Sequence, residues 1–164
     1  MAKCRCSVFK KAPHFLKPIQ VLLSIAILIT VIIIMWGPLE RLWYHAVFAL
    51  IISGFATLLF ALGVQRAFVE RYSCGFLSWN AVEFAYSLFL TWECGDSFWW
   101  AYWCAKHNES HAALFILVMI LFAFLTLSYA AAVLYIFVVE VKVLLAKSEY
   151  AVVKPDDRGS FLEI

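Results

Sequence analysis

The carboxylate of Glu83 is the side chain whose type and position most directly suggest chemistry. It is the only Asp or Glu well inside an apolar run, the run from Phe76 to Trp92. An acid in such a run is a candidate for proton relay or cation binding, because a carboxylate is costly to keep in an apolar environment. The alternative is a structural role, in which this carboxylate pairs with Arg66 or Arg71 and shares hydrogen bonds with Asn80.

The cysteines form two groups with different predicted chemistry. Cys94 and Cys104 lie in a predicted outer loop, where a disulfide can persist and would stabilise so small a loop by roughly 2–3 kcal/mol. The alternative is two free thiols on a continuous helix, where they would lie about 15 Å apart, beyond bridging distance. Cys4, Cys6 and Cys74 lie near a predicted membrane surface and are candidates for S-palmitoylation.

The C-terminal segment carries two short recognition patterns. Tyr150 and Val153 fit the Y-x-x-Φ pattern, a sorting signal that clathrin adaptors bind in extended form as an added strand. The last three residues, Leu162-Glu163-Ile164, resemble a carboxy-terminal ligand of PDZ domains. Both patterns predict protein partners for a cytosolic tail.

Two further patterns belong to the predicted outer side. Asn108 begins an N-glycosylation sequon, Asn-Glu-Ser, close to the start of the last apolar run. Arg41, Tyr44 and Val47 match a proposed cholesterol motif, which predicts lipid contact only as a hypothesis. The sequence has no C-x-x-C motif and no G-x-S-x-G elbow, so it predicts no enzyme, no cofactor and no metal site.

Four apolar runs must position these residues. The chain of 164 residues is 65% hydrophobic and 15% charged, with a mean hydropathy of +0.89, whereas soluble domains are about half apolar and a quarter charged. About 20 uncharged residues suffice for a helix to cross roughly 30 Å of hydrocarbon. The sequence therefore predicts an all-α integral membrane protein, a bundle of four transmembrane helices with no nucleic-acid partner.

The predicted helices have the following bounds. Helix one covers Pro18 to Met35 and ends at Gly37-Pro38, a strong helix breaker. Helix two covers Tyr44 to Val64, and helix four Ala112 to Val139. Helix three has two alternatives, Phe76 to Trp92 or the longer Trp79 to Trp103, which would include three acids.

The distribution of Lys and Arg predicts the orientation. With both termini in the cytosol, eleven basic residues lie inside and two, Arg41 and Lys106, lie outside, as the positive-inside rule requires. The transmembrane domain is then 18–145, between cytosolic tails at 1–17 and 146–164. The inside residues are Lys3, Arg5, Lys10, Lys11, Lys17, Arg66, Arg71, Lys142, Lys147, Lys154 and Arg158.

The pattern resembles the MARVEL-domain family, which includes the MAL, chemokine-like-factor and physin groups. The matching stretches are 15–21 (FLKPIQV), 79–84 (WNAVEF) and 99–103 (WWAYW), and the resemblance covers about residues 12–145. It implies a role in vesicle trafficking, membrane apposition or the organisation of cholesterol-rich domains, without catalytic residues. CD20-like tetraspans share the topology and remain an alternative.

These observations predict a non-catalytic multi-pass protein of the plasma membrane or of endosomal and secretory vesicles. Its predicted partners are membrane lipids, including cholesterol, other membrane proteins, a clathrin adaptor and a PDZ protein. The competing hypothesis is a channel or transporter, or its accessory subunit, that uses Glu83.

Overall fold

The structure, a computed structural model, describes residues 15–34, 40–74 and 76–153, with side chains through residue 146. The described residues form helices and turns, with no strand among them. Within these ranges five α-helices follow one another, and a short 3₁₀ turn at Glu109–His111 precedes the last. The helices are α1 (Leu16–Ile34), α2 (Glu40–Leu62), α3 (Gln65–Tyr72), α4 (Trp79–His107) and α5 (Ala112–Val153).

Local sequence explains the connection from α2 to α4. Gly63 ends α2 with a φ of +69°, which lets the amide of Val64 reach back to the carbonyl of Leu59 at 3.2 Å. The short helix α3 follows, and the sequence patterns did not predict it. Ser78 then caps α4, since its hydroxyl accepts a hydrogen bond from the amide of Ala81 at 3.2 Å.

The predicted helix bounds agree with the structure at most ends and differ for the two longest helices. α4 has 29 residues, so it starts where the longer alternative starts and continues past its end. α5 has 42 residues, a length of about 63 Å at 1.5 Å per residue. That is about twice the thickness of a bilayer core, so a large part of α5 extends beyond any single crossing.

Within the described part of the chain, three helical segments are long and apolar enough to cross a membrane: α1, α2 and the segment Glu109–Ala146 that contains most of α5. α4 has the length but is less apolar, because it carries Glu83, Glu93 and Asp96. The coarse prediction of an all-helical membrane protein is therefore supported, whereas a fourth crossing is not established by composition.

α2 and α4 run antiparallel. At one end of the pair, Phe60 of α2 packs edge-on against Trp79 of α4, with ring centroids 5.4 Å apart. Near the other end, Arg41 of α2 forms an ion pair with Asp96 of α4 at 2.6 Å. The first contact joins the end of α2 to the start of α4 and the second joins the start of α2 to the middle of α4, which fixes their relative direction.

α4 and α5 also run antiparallel. The side-chain amide of Asn80 donates to Glu140 Oε1 at 2.8 Å, and a Cβ placed on Gly95 would lie 4.0 Å from Thr126 Cγ2. α1 packs mainly on α2 and α5, and α4 packs on the same two helices. α1 and α4 therefore lie diagonally across the bundle and run in the same direction.

The buried positions of the four long helices recur at alternating intervals of three and four residues. This seven-residue repeat is typical of helices that pack with small left-handed crossing angles. α1 and α4 stand out because several of their inward positions are polar. The repeat comprises 17, 20, 24, 27, 31 and 34 in α1; 42, 46, 49, 53, 56 and 60 in α2; 83, 87, 90, 94, 97, 101 and 104 in α4; and 115, 118, 122, 125, 129, 132 and 136 in α5.

Two glycines of α2 allow a matched test of the turn. Gly63→Ala is expected to lower the free energy of unfolding by about 1 kcal/mol, because an L side chain is strained at positive φ. Gly54→Ala is expected to raise it by about 0.5 kcal/mol, because a helix-interior glycine is replaced where no atom lies within 4 Å of the added Cβ. The measurement is reversible unfolding in bicelles, and equal effects at both positions would contradict the assigned conformation.

Candidate functional site

A buried ion pair connects the first turn of α1 to the second turn of α4, its diagonal neighbour. Lys17 Nζ of α1 lies 2.5 Å from Glu83 Oε1 of α4, and the two residues are 1% and 3% exposed. The lysine belongs to the inward repeat of α1, and Pro18 follows it within the first turn, where a missing N–H costs nothing. The pair thus crosses the centre of the bundle rather than lying on its surface.

Three aromatic side chains surround this pair. The indole N–H of Trp79 donates to Glu83 Oε2 at 2.8 Å, one turn earlier on the same helix. The ammonium of Lys17 donates to the hydroxyl of Tyr86 and lies 4.8 Å from the centroid of that ring. The ring of Phe60 lies 5.9 Å from the same nitrogen. The two charges therefore compensate each other away from water. The indole N–H of Trp79 further stabilises the carboxylate, and the Tyr86 hydroxyl and the faces of two aromatic rings stabilise the ammonium.

The structure assigns Glu83 a partner that the sequence reasoning did not propose. Glu83 is buried within the bundle and pairs with Lys17, a residue that the predicted topology had placed in the N-terminal tail. Arg66 is exposed, and Asn80 instead donates to Glu140. The expectation that Asn80 shares the hydrogen bonds of Glu83 is wrong, because Asn80 lies on the face of α4 that meets α5.

A second polar cluster lies between the start of α2 and the middle of α4. His45 Nε2 lies 2.9 Å from Glu93 Oε2, while its Nδ1 lies 2.5 Å from the hydroxyl of Ser97. One turn earlier on α2, Arg41 pairs with Asp96 and stacks over Trp100, with 5.5 Å from the guanidinium carbon to the ring centroid. Glu93 and Asp96 of α4 thus have basic partners on α2.

The predicted disulfide is wrong in this structure. Cys94 and Cys104 are both free and buried, at two positions of the inward repeat of α4. Because α4 is continuous from Trp79 to His107, the ten intervening steps separate them by about 15 Å along the axis. The predicted outer loop does not exist here, since its aromatic residues complete the helix.

The remaining predicted modification and recognition residues are placed as follows. Cys74 is an exposed free thiol in the turn before α4, at a φ of +51°, a position compatible with acylation. Asn108 ends α4, and its side-chain oxygen accepts a hydrogen bond from Ser110 at 2.9 Å. Cys4 and Cys6 lie outside the described residues.

The C-terminal patterns lie largely beyond the described side chains. The side chains of Tyr150 and Val153 lie outside the described set, and so does the whole of 162–164. The backbone of α5, however, is helical as far as Val153. An adaptor that binds the Y-x-x-Φ pattern as a strand must therefore unwind the last turn of α5.

Sequence reasoning missed the polar face of α1. Lys17, Gln20 and Ser24 are at most 1% exposed and recur at intervals of three and four residues. That spacing, in a helix otherwise rich in Ile, Val and Leu, was the available signal.

The charged pairs described above connect helices of the bundle to one another. Both ends of the bundle carry charges that already have partners, and within 15–34, 40–74 and 76–146 no cluster of three or more His, Cys, Asp or Glu side chains could hold a metal. Comparisons of the chain with protein-family models, with curated proteins and with solved structures gave no match.

Proposed function

We propose that this chain is a non-catalytic, four-span membrane protein that organises membrane domains or vesicle trafficking through lipid and helix–helix packing. The observation that carries the proposal is the enclosed pair of Lys17 and Glu83. It places two opposite charges inside the bundle, where they join two helices and are shielded from the apolar exterior. Such an inside-out distribution of polarity suits a bundle whose solvent is lipid.

The exterior supports the same proposal. Each long helix presents large apolar side chains that are more than half exposed, and a contiguous surface of this kind is unfavourable in water. Lipid chains, and other membrane proteins with similar surfaces, are the partners that such a surface fits. Examples are Leu22 and Ile33 in α1, Ile51 and Leu58 in α2, Leu88 and Trp92 in α4, and Phe124 and Leu127 in α5.

The packing of α4 supports a fourth crossing. α4 lies against α2 from Trp79 to Asp96, that is, over nearly the whole length of α2. If α2 crosses the bilayer, its antiparallel neighbour occupies the same depth. The acids of α4 do not oppose this, since Glu83 and Glu93 are paired within the bundle. Four crossings then place both termini on one side, which the distribution of Lys and Arg assigns to the cytosol.

Labelling of cysteines on either side of α4 tests the fourth crossing. In a background without other cysteines, Lys106→Cys is expected to react with a membrane-impermeant maleimide added to intact cells. Cys74, retained as the single cysteine, is expected to react only after permeabilisation, because the bilayer separates the two ends of α4. Labelling of both single-cysteine proteins from the same side would contradict a four-span topology.

A channel or transporter, or its accessory subunit, is the second candidate. It is favoured by one observation, the burial of Glu83 beside polar side chains in the bundle centre. We expect purified chain in liposomes to conduct no protons, Na⁺ or K⁺ above the rate of protein-free liposomes, since the carboxylate is already held by an ammonium. A flux that persists in Glu140→Gln and disappears in Glu83→Gln would replace the proposed function with this one.

The partners and the compartment follow from the tails and the surface. We propose membrane lipids including cholesterol, a clathrin adaptor and a PDZ protein as partners, at the plasma membrane or on endosomal and secretory vesicles. The resemblance to the MARVEL-domain family supports this role. Proximity labelling in intact cells, followed by organelle separation, tests compartment and neighbours together; enrichment of neither trafficking nor membrane-domain proteins would contradict the proposal.

Loss of the sorting signal gives a further expected result. Tyr150→Ala is expected to raise the amount of protein at the cell surface, because an adaptor binds the tyrosine ring in a dedicated pocket. Ser148→Ala, two residues away and outside the pattern, is the matched control and is expected to leave the distribution unchanged. Surface biotinylation measures both, and an unchanged distribution for Tyr150→Ala would remove the signal from the proposal.

A further inference from the structure

A second buried polar layer lies one helical turn beyond the pair of Lys17 and Glu83. Gln20 of α1 and Ser87 of α4 are both fully buried, at 0% exposure. Among the described residues, neither the amide oxygen nor the amide nitrogen of Gln20 has a hydrogen-bond partner, and the hydroxyl of Ser87 has none. Buried side-chain polar atoms usually have a partner in the protein or in ordered water, so these three atoms require an explanation.

The two side chains lie at the same depth of the bundle. Gln20 follows Lys17 by three residues and Ser87 follows Glu83 by four, which are rises of about 4.5 Å and 6 Å. Because α1 and α4 run in the same direction from the ion pair, both residues reach the bundle centre at nearly the same level. Both belong to the inward repeats, so they occupy the space between the two diagonal helices.

The chemistry of this layer fits water. An amide supplies one donor group and one acceptor, and a hydroxyl supplies both, so together they offer the two to four polar partners that a buried water requires. The ammonium of Lys17 has three hydrogens, of which its contacts with Glu83 and Tyr86 use two. A cation is disfavoured at this level, because that ammonium lies within one turn.

We propose that Gln20 and Ser87 form a buried site that binds ordered water, which bridges α1 to α4 and extends the hydrogen bonding of the Lys17–Glu83 pair into the bundle centre. The site adds a second polar tie between helices that have few direct contacts. It does not depend on the proposed role in trafficking, since it rests only on the packing of the bundle.

Radiolytic hydroxyl-radical footprinting of the full chain in nanodiscs tests the site. An X-ray pulse converts bound water to radicals that oxidise adjacent rings. Tyr129 and Phe122 are both 0% exposed and lie seven residues apart on one face of α5. Ser87 of α4 and Tyr129 of α5 both lie between the contact of Asn80 with Glu140 and the contact of Gly95 with Thr126, whereas Phe122 lies beyond them. We expect Tyr129 to be oxidised about tenfold faster than Phe122, as a ring beside trapped water would be compared with a dry one.

Substitution of Gln20 distinguishes water bound at this site from water that enters the bundle elsewhere. Gln20→Leu is expected to bring the oxidation of Tyr129 down to the rate of Phe122 and to lower the folding equilibrium constant about tenfold, since the partner of Ser87 is lost. Ser24→Ala is the control on α1, because that hydroxyl already donates to a backbone carbonyl at 2.8 Å. Equal oxidation of Tyr129 and Phe122 in the native chain would overturn the site, as would a Gln20→Leu protein that folds more stably, which is the result for a dry and unpaired amide.

Discussion

Replacement of Glu83 by Gln is expected to lower the free energy of unfolding by about 3–5 kcal/mol, the usual effect of removing one partner of a buried ion pair. The physical reason is the ammonium of Lys17, which is 1% exposed and would lose its counter-charge in a place where water cannot replace it. The hydrogen bond from Trp79 would persist, since a glutamine oxygen still accepts it. Steric-trap unfolding of the purified protein in bicelles measures the difference.

Two further variants serve as controls for the effect of Glu83→Gln on stability. Glu140→Gln changes an exposed acid that accepts a hydrogen bond from Asn80, and we expect a loss within about 1 kcal/mol, as for solvent-exposed polar pairs. The double variant Lys17→Met with Glu83→Leu is expected to recover most of the stability, because replacing both charges leaves none unpaired. A Glu83→Gln protein as stable as the Glu140→Gln protein would show that the carboxylate is not held in a desolvated pair.

Replacement of Phe122 by Ala is expected to lower the free energy of unfolding by about 3 kcal/mol, because a fully buried ring leaves a cavity that the surrounding helices fill only in part. Phe122 is 0% exposed at the centre of the inward repeat of α5. Phe124→Ala is the matched control, since this ring lies two residues away on the same helix and is 58% exposed.

The control variant Phe124→Ala is expected to lose less free energy of unfolding than Phe122→Ala. Lipid chains fill the space that Phe124→Ala leaves at the outer surface, so the loss should stay below about 1 kcal/mol. The same unfolding measurement in bicelles compares the two variants directly. Similar losses at both positions would mean that the face of α5 assigned to the bundle interior is wrong, and with it the seven-residue repeat.

Hydropathy was sufficient to predict most of the helical segments. A stretch such as 112–139 carries no charged side chain, so its apolar surroundings follow from composition. In such surroundings water is not available to the backbone N–H and C=O groups, and a helix pairs them internally. The chain direction between α1 and α2 also follows, because the connection is only a few residues long. Predicting α3 was beyond this approach, since its eight residues are neither long nor strongly apolar.

Hydropathy did not predict the end of α4, because that end depends on which polar side chains pair with one another. For the third helix the sequence left two ends open, Trp92 and Trp103, and only the second would place Glu93 and Asp96 inside the helix. In the bundle these acids lie against Arg41 and His45, so the helix continues through them. The sequence did not identify these partners, because Arg41 and His45 lie more than forty residues earlier in the chain than the acids they contact.

The sequence alone determined that the chain is helical and predominantly apolar, because exposing runs of about twenty apolar residues to water is costly and a helix satisfies its backbone polar groups internally. Only the tertiary structure decided which polar groups meet. Lys17 was a tail residue by its position, and it became the partner of Glu83 because the bundle places α1 and α4 diagonally and in the same direction. Cys94 and Cys104 are apart for the complementary reason: one continuous helix holds them at a fixed spacing along its axis.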